Sequence, residues 1–136
     1  MAAGAWLTVQ LLDAREQNEA LRGVVAGLEI DPGWRVVSET THEAGVLCGD
    51  ITPCPNTHQV FDTGTVFTPE SLAALAPGGY LTVEGTCSHP SHVRGSAIAC
   101  TATGQTDGFD VSIAVRSPLP GTTHEVSITV RPALLR

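Results

Sequence analysis

Three runs in the second half of the chain alternate apolar and polar residues: 97–104, 109–116 and 125–131. In the second run Phe109, Val111, Ile113 and Val115 fall on one face, with Asp110, Ser112 and Arg116 on the other. In the third, Val126, Ile128 and Val130 stand against Glu125, Ser127, Thr129 and Arg131. Successive side chains of a strand point to opposite sides, so a strand with one buried and one wet face must alternate in this way. The segment 104–108, Gly-Gln-Thr-Asp-Gly, offers the positive-φ residues of a short hairpin loop. Residues 117–123, with two prolines and a glycine, form a second turn. The pattern predicts an antiparallel meander.

Upstream the period changes. Across residues 5–28, Leu7, Leu11, Ala14, Leu21, Val24, Val25 and Leu28 keep close to one helical face, while Glu16, Gln17, Asn18 and Glu19 are solvated. Gly23 and Gly27 weaken the end of this helix, and Asp31-Pro32-Gly33 stops it. Residues 34–40 read as a strand burying Trp34, Val36 and Val37, and 59–67 as a second strand; 46–58 is too rich in turn residues to be regular. Thr68-Pro69-Glu70 opens a short helix: a hydroxyl cap, a proline at the first helical position, and a carboxylate at the positive end of the dipole. Leu72, Ala73, Leu75 and Ala76 supply its apolar face, Pro77-Gly78-Gly79 ends it, and 80–87 is a third strand. The expected fold is α+β, an antiparallel sheet covered on one face by an N-terminal helix and a short second helix. No repeat or linker divides residues 1–136, so one domain is expected.

Composition narrows the partners. The formal charge is −7, with seven Arg and no Lys. No basic cluster exists to neutralise phosphates, which argues against nucleic acid. The missing Lys also removes a P-loop lysine and Schiff-base chemistry. Beside abundant Ala, Gly, Arg and Thr, it points to a GC-rich bacterial genome, since Lys codons are A-rich. No apolar run reaches the length of a membrane span. Residues 2–12 are apolar except for Thr8 and Gln10, and read either as the trailing end of a membrane anchor or leader, or as the first turns of an amphipathic helix.

An even count of four cysteines in a small acidic chain favours two disulfides and an oxidising compartment. Cys87 shares the phase of Leu81 and Val83, and Cys100 that of Ile98 and Ala102, a condition for bridging neighbouring strands. Of three possible connectivities we favour Cys48–Cys54 with Cys87–Cys100. Zinc is the alternative, using Cys48, Cys54 and His58, or Cys87, His89 and His92. Neither cysteine pair has the usual Cys-x2-Cys spacing, so no metal or other cofactor is expected. His42 and His124 read as surface residues.

The sequence Val60-Phe61-Asp62-Thr63-Gly64-Thr65 brings a hydrophobic strand into Asp-Thr-Gly-Thr. It resembles the active-site signature of aspartic proteases of the single-motif retroviral type, in which two small subunits each give one aspartate. The resemblance implies a dimer with Asp62 as acid/base, its dyad sharing one proton because two like charges in contact cannot both ionise. Thr63 and Gly64 would shape the turn. It covers these six residues only, and Pro69 opens a helix where that family continues with strands and a glycine-rich flap. No Gly-x-Ser-x-Gly elbow and no Gly-x-Gly-x-x-Gly fingerprint is present.

The function expected is that of a non-enzymatic extracytoplasmic binding domain, the soluble part of a bacterial envelope-anchored protein or lipoprotein, with a protein or cell-envelope ligand. Asp50, Ile51, Thr52 and Pro53, between Cys48 and Cys54, would form its binding loop. The alternatives are a secreted protease inhibitor using the 48–55 loop, held rigid so that binding costs less ordering, and a dimeric aspartic protease with Asp62.

Overall fold

The alternating runs form the centre of one six-stranded antiparallel sheet in the computed structural model, which describes residues 15–42, 55–119 and 122–133. Helix α1 occupies 15–26. Then come β1 (Arg35–His42), β2 (Asn56–Asp62), α2 (Pro69–Ala73), β3 (Thr82–Gly85), β4 (Ala97–Thr106), β5 (Phe109–Ser117) and β6 (Glu125–Pro132). The spatial order is β1-β2-β6-β5-β4-β3, and every neighbouring pair is antiparallel. The last four strands are the expected meander. The β1–β2 pair extends it on the β6 side, and the chain reaches the far edge through α2, which lies against β3 and β4.

Register decides which side chains share a face. Phe61, Val126, Val115 and Cys100 lie in one row across four strands, and Gln59, Ile128, Ile113, Ala102 and Val83 in the next. On this face α1 with its following turn adds Leu21, Val24 and Leu28, and α2 with its following turn adds Leu72, Leu75 and Ala76, all in one buried cluster. The backbone of the two helical segments is joined where Glu29 N–H donates to the Leu75 carbonyl at 2.8 Å. Residues 5–14 of the expected first helix lie outside the described residues. The opposite face carries rows of small polar groups, such as Thr40, His58, Thr129, Ser112, Thr103 and Thr82.

Several boundaries differ from the sequence reading, each for a local reason. The turn after β4 is only Asp107-Gly108, both at positive φ (52° and 81°), so β4 continues through Gln105 and Thr106. Gly104 stays within the strand because the chain at Tyr80 lies directly on it; a Cβ there would run into the Tyr80 carbonyl oxygen. Strand β2 begins at Asn56 and stops at Asp62, earlier at both ends than expected, because β6 pairs along it from Thr57 to Asp62. Strand β3 covers only Thr82–Gly85: Gly85 takes φ 95° where a Cβ would run into the Ala99 carbonyl and Cys100, and Cys87 at φ 63° turns the chain.

Two bulges break the alternation. One lies between Ile98 and Cys100, so Ile98 pairs with Arg116 and is half exposed, while Ala99, Cys100 and Ala102 are buried. Ile98 and Cys100 therefore do not share a face. The other lies between Val36 and Ser38 on the edge strand β1, where every residue is exposed, Val36 and Val37 included. Trp34 precedes the strand and stacks instead on Phe61 and Phe67, with ring centroids 5.7 and 5.6 Å away.

The start of α2 follows its sequence closely. Thr68 caps it, Pro69 occupies the first turn, and Ser71 completes a capping box with Thr68.

Candidate functional site

Strand β2 runs from Asn56, directly after Pro55, at one end of the sheet to Asp62 at the other, about 20 Å away at a strand's rise per residue. The two ends have different chemistry. At the Asp62 end, Gly64 N–H donates to Oδ1 of Asp62 at 3.3 Å, and the Arg35 guanidinium donates to Oδ2 at 3.1 Å. Both oxygens are thus engaged by donors within the same chain. Glu125 faces Asp62 across the ladder and Arg116 faces Glu125, so the row reads Arg, Asp, Glu, Arg. The aspartate terminates a strand, closes an Asx turn and takes part in an exposed, balanced charge row.

Behind that row is a buried polar layer. The Thr63 hydroxyl donates to the His124 carbonyl at 2.7 Å, and His124 N–H donates to the Thr65 carbonyl at 2.8 Å. Phe67 N–H donates to Nδ1 of His124 at 2.9 Å, which requires that nitrogen to be unprotonated. His124 is 3% exposed, and its burial lowers the imidazole pKa from the ordinary value. It is a core residue, not the surface residue expected. The sequence offered no sign of this, because a histidine before an alternating strand looks the same whether its face is covered or open.

His89 Nδ1 lies 2.9 Å from the Ser117 hydroxyl, and its Nε2 donates to the Val93 carbonyl at 2.9 Å. The Ser117 side chain is wholly enclosed at 1% exposure, so this pair ties the 86–96 loop to β5 and offers no nucleophile to solvent. His58 meets the Thr129 hydroxyl at 2.8 Å on the open face, and His42 and His92 are exposed. Among the described residues no three His, Cys, Asp or Glu side chains converge as a metal would need. Cys87 and Cys100 are bonded to each other. Cys48, Cys54, Asp50, Ile51, Thr52 and Pro53 lie outside the described residues.

The Pro55 end holds a concavity. A cleft of about 380 Å³ opens between α1 and the β4–β5 turn, lined by Glu16, Ala20, Pro55, Asp107, Phe109 and Pro132. Across Asp107 a smaller hollow of about 150 Å³ continues along the helix past Gly23 and Gly27 to Tyr80. Local sequence explains the groove. At about 100° per residue, Glu16, Ala20, Gly23 and Gly27 share one flank of α1, and three of the four have little or no side chain to fill it. The type I′ turn projects Asp107 between the two hollows. The floor is apolar and ring-rich, from Phe109, Pro55 and Pro132, while Glu16 and Asp107 are exposed carboxylates at the rim. Burial first, and the Asp107 carboxylate second, push the Tyr80 phenol pKa up, which keeps the phenol a proton donor in the smaller hollow.

An apolar floor with a few placed polar groups is the usual composition of a small binding site. Pro55 is the last residue of the 48–55 loop that the sequence reading offered for an inhibitor. Glu16 and Asp107 were missed, because nothing local tells a solvated helix carboxylate or a turn aspartate that they will face each other across a fold. No protein family, curated protein or solved structure matches this chain.

Proposed function

We propose that this chain is an extracytoplasmic binding domain, the soluble part of a bacterial envelope-anchored protein or lipoprotein, and that it holds its ligand in the cleft between α1 and the β4–β5 turn. The observation that carries this reading is the cleft itself. It is open and apolar-floored, and Pro55, the residue that follows Cys54 in the chain, is part of its lining. The Cys87–Cys100 bridge is compatible with an oxidising compartment. A second bridge, Cys48–Cys54, would hold the start of the loop and lower the ordering cost of binding. No helix among the described residues is long and apolar enough to cross a membrane, so an anchor would belong to a segment outside them.

Two measurements test the proposal. Thiol titration of the denatured, unreduced protein should find no reactive thiol; two per chain would remove the Cys48–Cys54 bridge. A fusion of the full gene product to a reporter active only after export should be active, and a reporter confined to the cytoplasm would overturn the location.

A further inference from the structure

We propose that the cleft receives an arginine or lysine side chain of a partner protein, its aliphatic stem along the apolar floor and its charged head between Glu16 and Asp107. The inference rests on the binding reading above and names the ligand class of that same site. Three observations point to it.

The first is the division of the cleft: Ala20, Pro55, Phe109 and Pro132 provide an apolar surface, and among the described residues the only charges on its lining are the carboxylates of Glu16 and Asp107. Long cationic side chains have the matching division, lying along apolar surface while the head stays in polar surroundings. The second is the placement of charge on α1. At about 100° per residue, Glu16 is the one charge of α1 on the cleft flank, and Glu19, Arg15 and Arg22 fall together about 60–120° further round the helix. The potential over the cleft is therefore negative, in a chain whose formal charge is −7. The third is size: about 380 Å³ accommodates one or two side chains, not a folded element. A free carboxylate or phosphate ligand would meet two like charges at the rim.

The test uses the full chain and three peptides: N-acetyl-Gly-Arg-Gly-Arg-Gly-amide, and the same peptide with citrulline or with glutamate in place of arginine. Citrulline keeps the shape, the aliphatic stem and a hydrogen-bonding head, and removes the charge. Amide chemical shifts of Ala20, Gly108 and Phe109 should move with the arginine peptide, move much less with citrulline, and lose the response as salt is raised. Asp107→Asn suits the same positive-φ turn and removes one charge; Glu16→Gln removes the other. Each should weaken arginine-peptide binding roughly three- to tenfold, with the melting temperature of the variant unchanged. Equal binding of the arginine and citrulline peptides, or unaltered affinity in both variants, overturns the cationic ligand. If only a neutral or acidic peptide shifts the cleft amides, the cationic proposal fails and the binding domain stands. If peptides of every charge leave those amides unmoved, both readings fail.

Discussion

Two glycines of this fold are glycine for opposite reasons, and substitution by alanine should separate them. At Gly104 a Cβ would strike the Tyr80 backbone, which cannot move without displacing the start of β3. Gly104→Ala should therefore cost more than about 2 kcal/mol, read as a lower denaturant midpoint. At Gly23 a Cβ would meet nothing within 4 Å, and the residue sits inside a helix. Gly23→Ala should raise stability by about 0.5–1 kcal/mol, because alanine loses less backbone freedom on folding. His124 gives a residue-scale prediction about acid. Its pKa is lowered in the folded state, so between that value and the ordinary 6.5 the unfolded chain binds more protons than the native one. The stability it contributes is complete above the unfolded value and is lost as pH falls through the folded one. Denaturant midpoints should fall with pH in that window. His124→Asn, which offers an amide oxygen to the Phe67 N–H without titrating, should flatten the fall.

At the scale of elements, α2 should depend on its first residues. It has only five residues in its helical span, too few to be stable by propensity alone. The Thr68 hydroxyl satisfies the Ser71 N–H at 3.1 Å, and the Ser71 hydroxyl accepts from Thr68 N–H at 2.8 Å. Thr68→Ala should cost about 1 kcal/mol by thermal or denaturant melting. This helix was legible because every signal for it lies within a few neighbouring residues. The meander was legible for the same reason, with a period of two running through β5 and β6 without interruption. The two bulges were not. An extra residue at Ala99 or Val37 leaves no trace in the sequence, because the register of β4 and β1 is set by the strand beside them. For the same reason Ile98 was assigned to the wrong face, and the exposure of Val36 and Val37 was missed.

For the whole molecule, the Cys87–Cys100 bridge closes a loop of 13 residues next to a sheet edge where β3 is short. A cross-link over a loop of that size stabilises by about 2–3 kcal/mol, chiefly by restricting the unfolded chain. The Cys87→Ala/Cys100→Ala double variant should lose stability by that amount, read as a lower denaturant midpoint with little change in slope. The bridge was foreseeable, since two cysteines in consecutive strand candidates limit the pairing. The cleft was not, because its walls come from α1, the residue before β2, the β4–β5 turn and the last residue of β6, which only the complete topology brings together.

One of those walls has a separate consequence. Glu16 and Gln17, near the start of the described chain, and Pro132, near its finish, border the same opening. The described stretch therefore begins and finishes beside the same opening. A short linker joining residue 15 to residue 133 should let new termini be cut elsewhere, for instance in the exposed 91–96 loop, with the sheet order preserved. By the same geometry residues 15–133 should be tolerated as an insert in a surface loop of a host protein, checked by whether host and insert both keep their folded state.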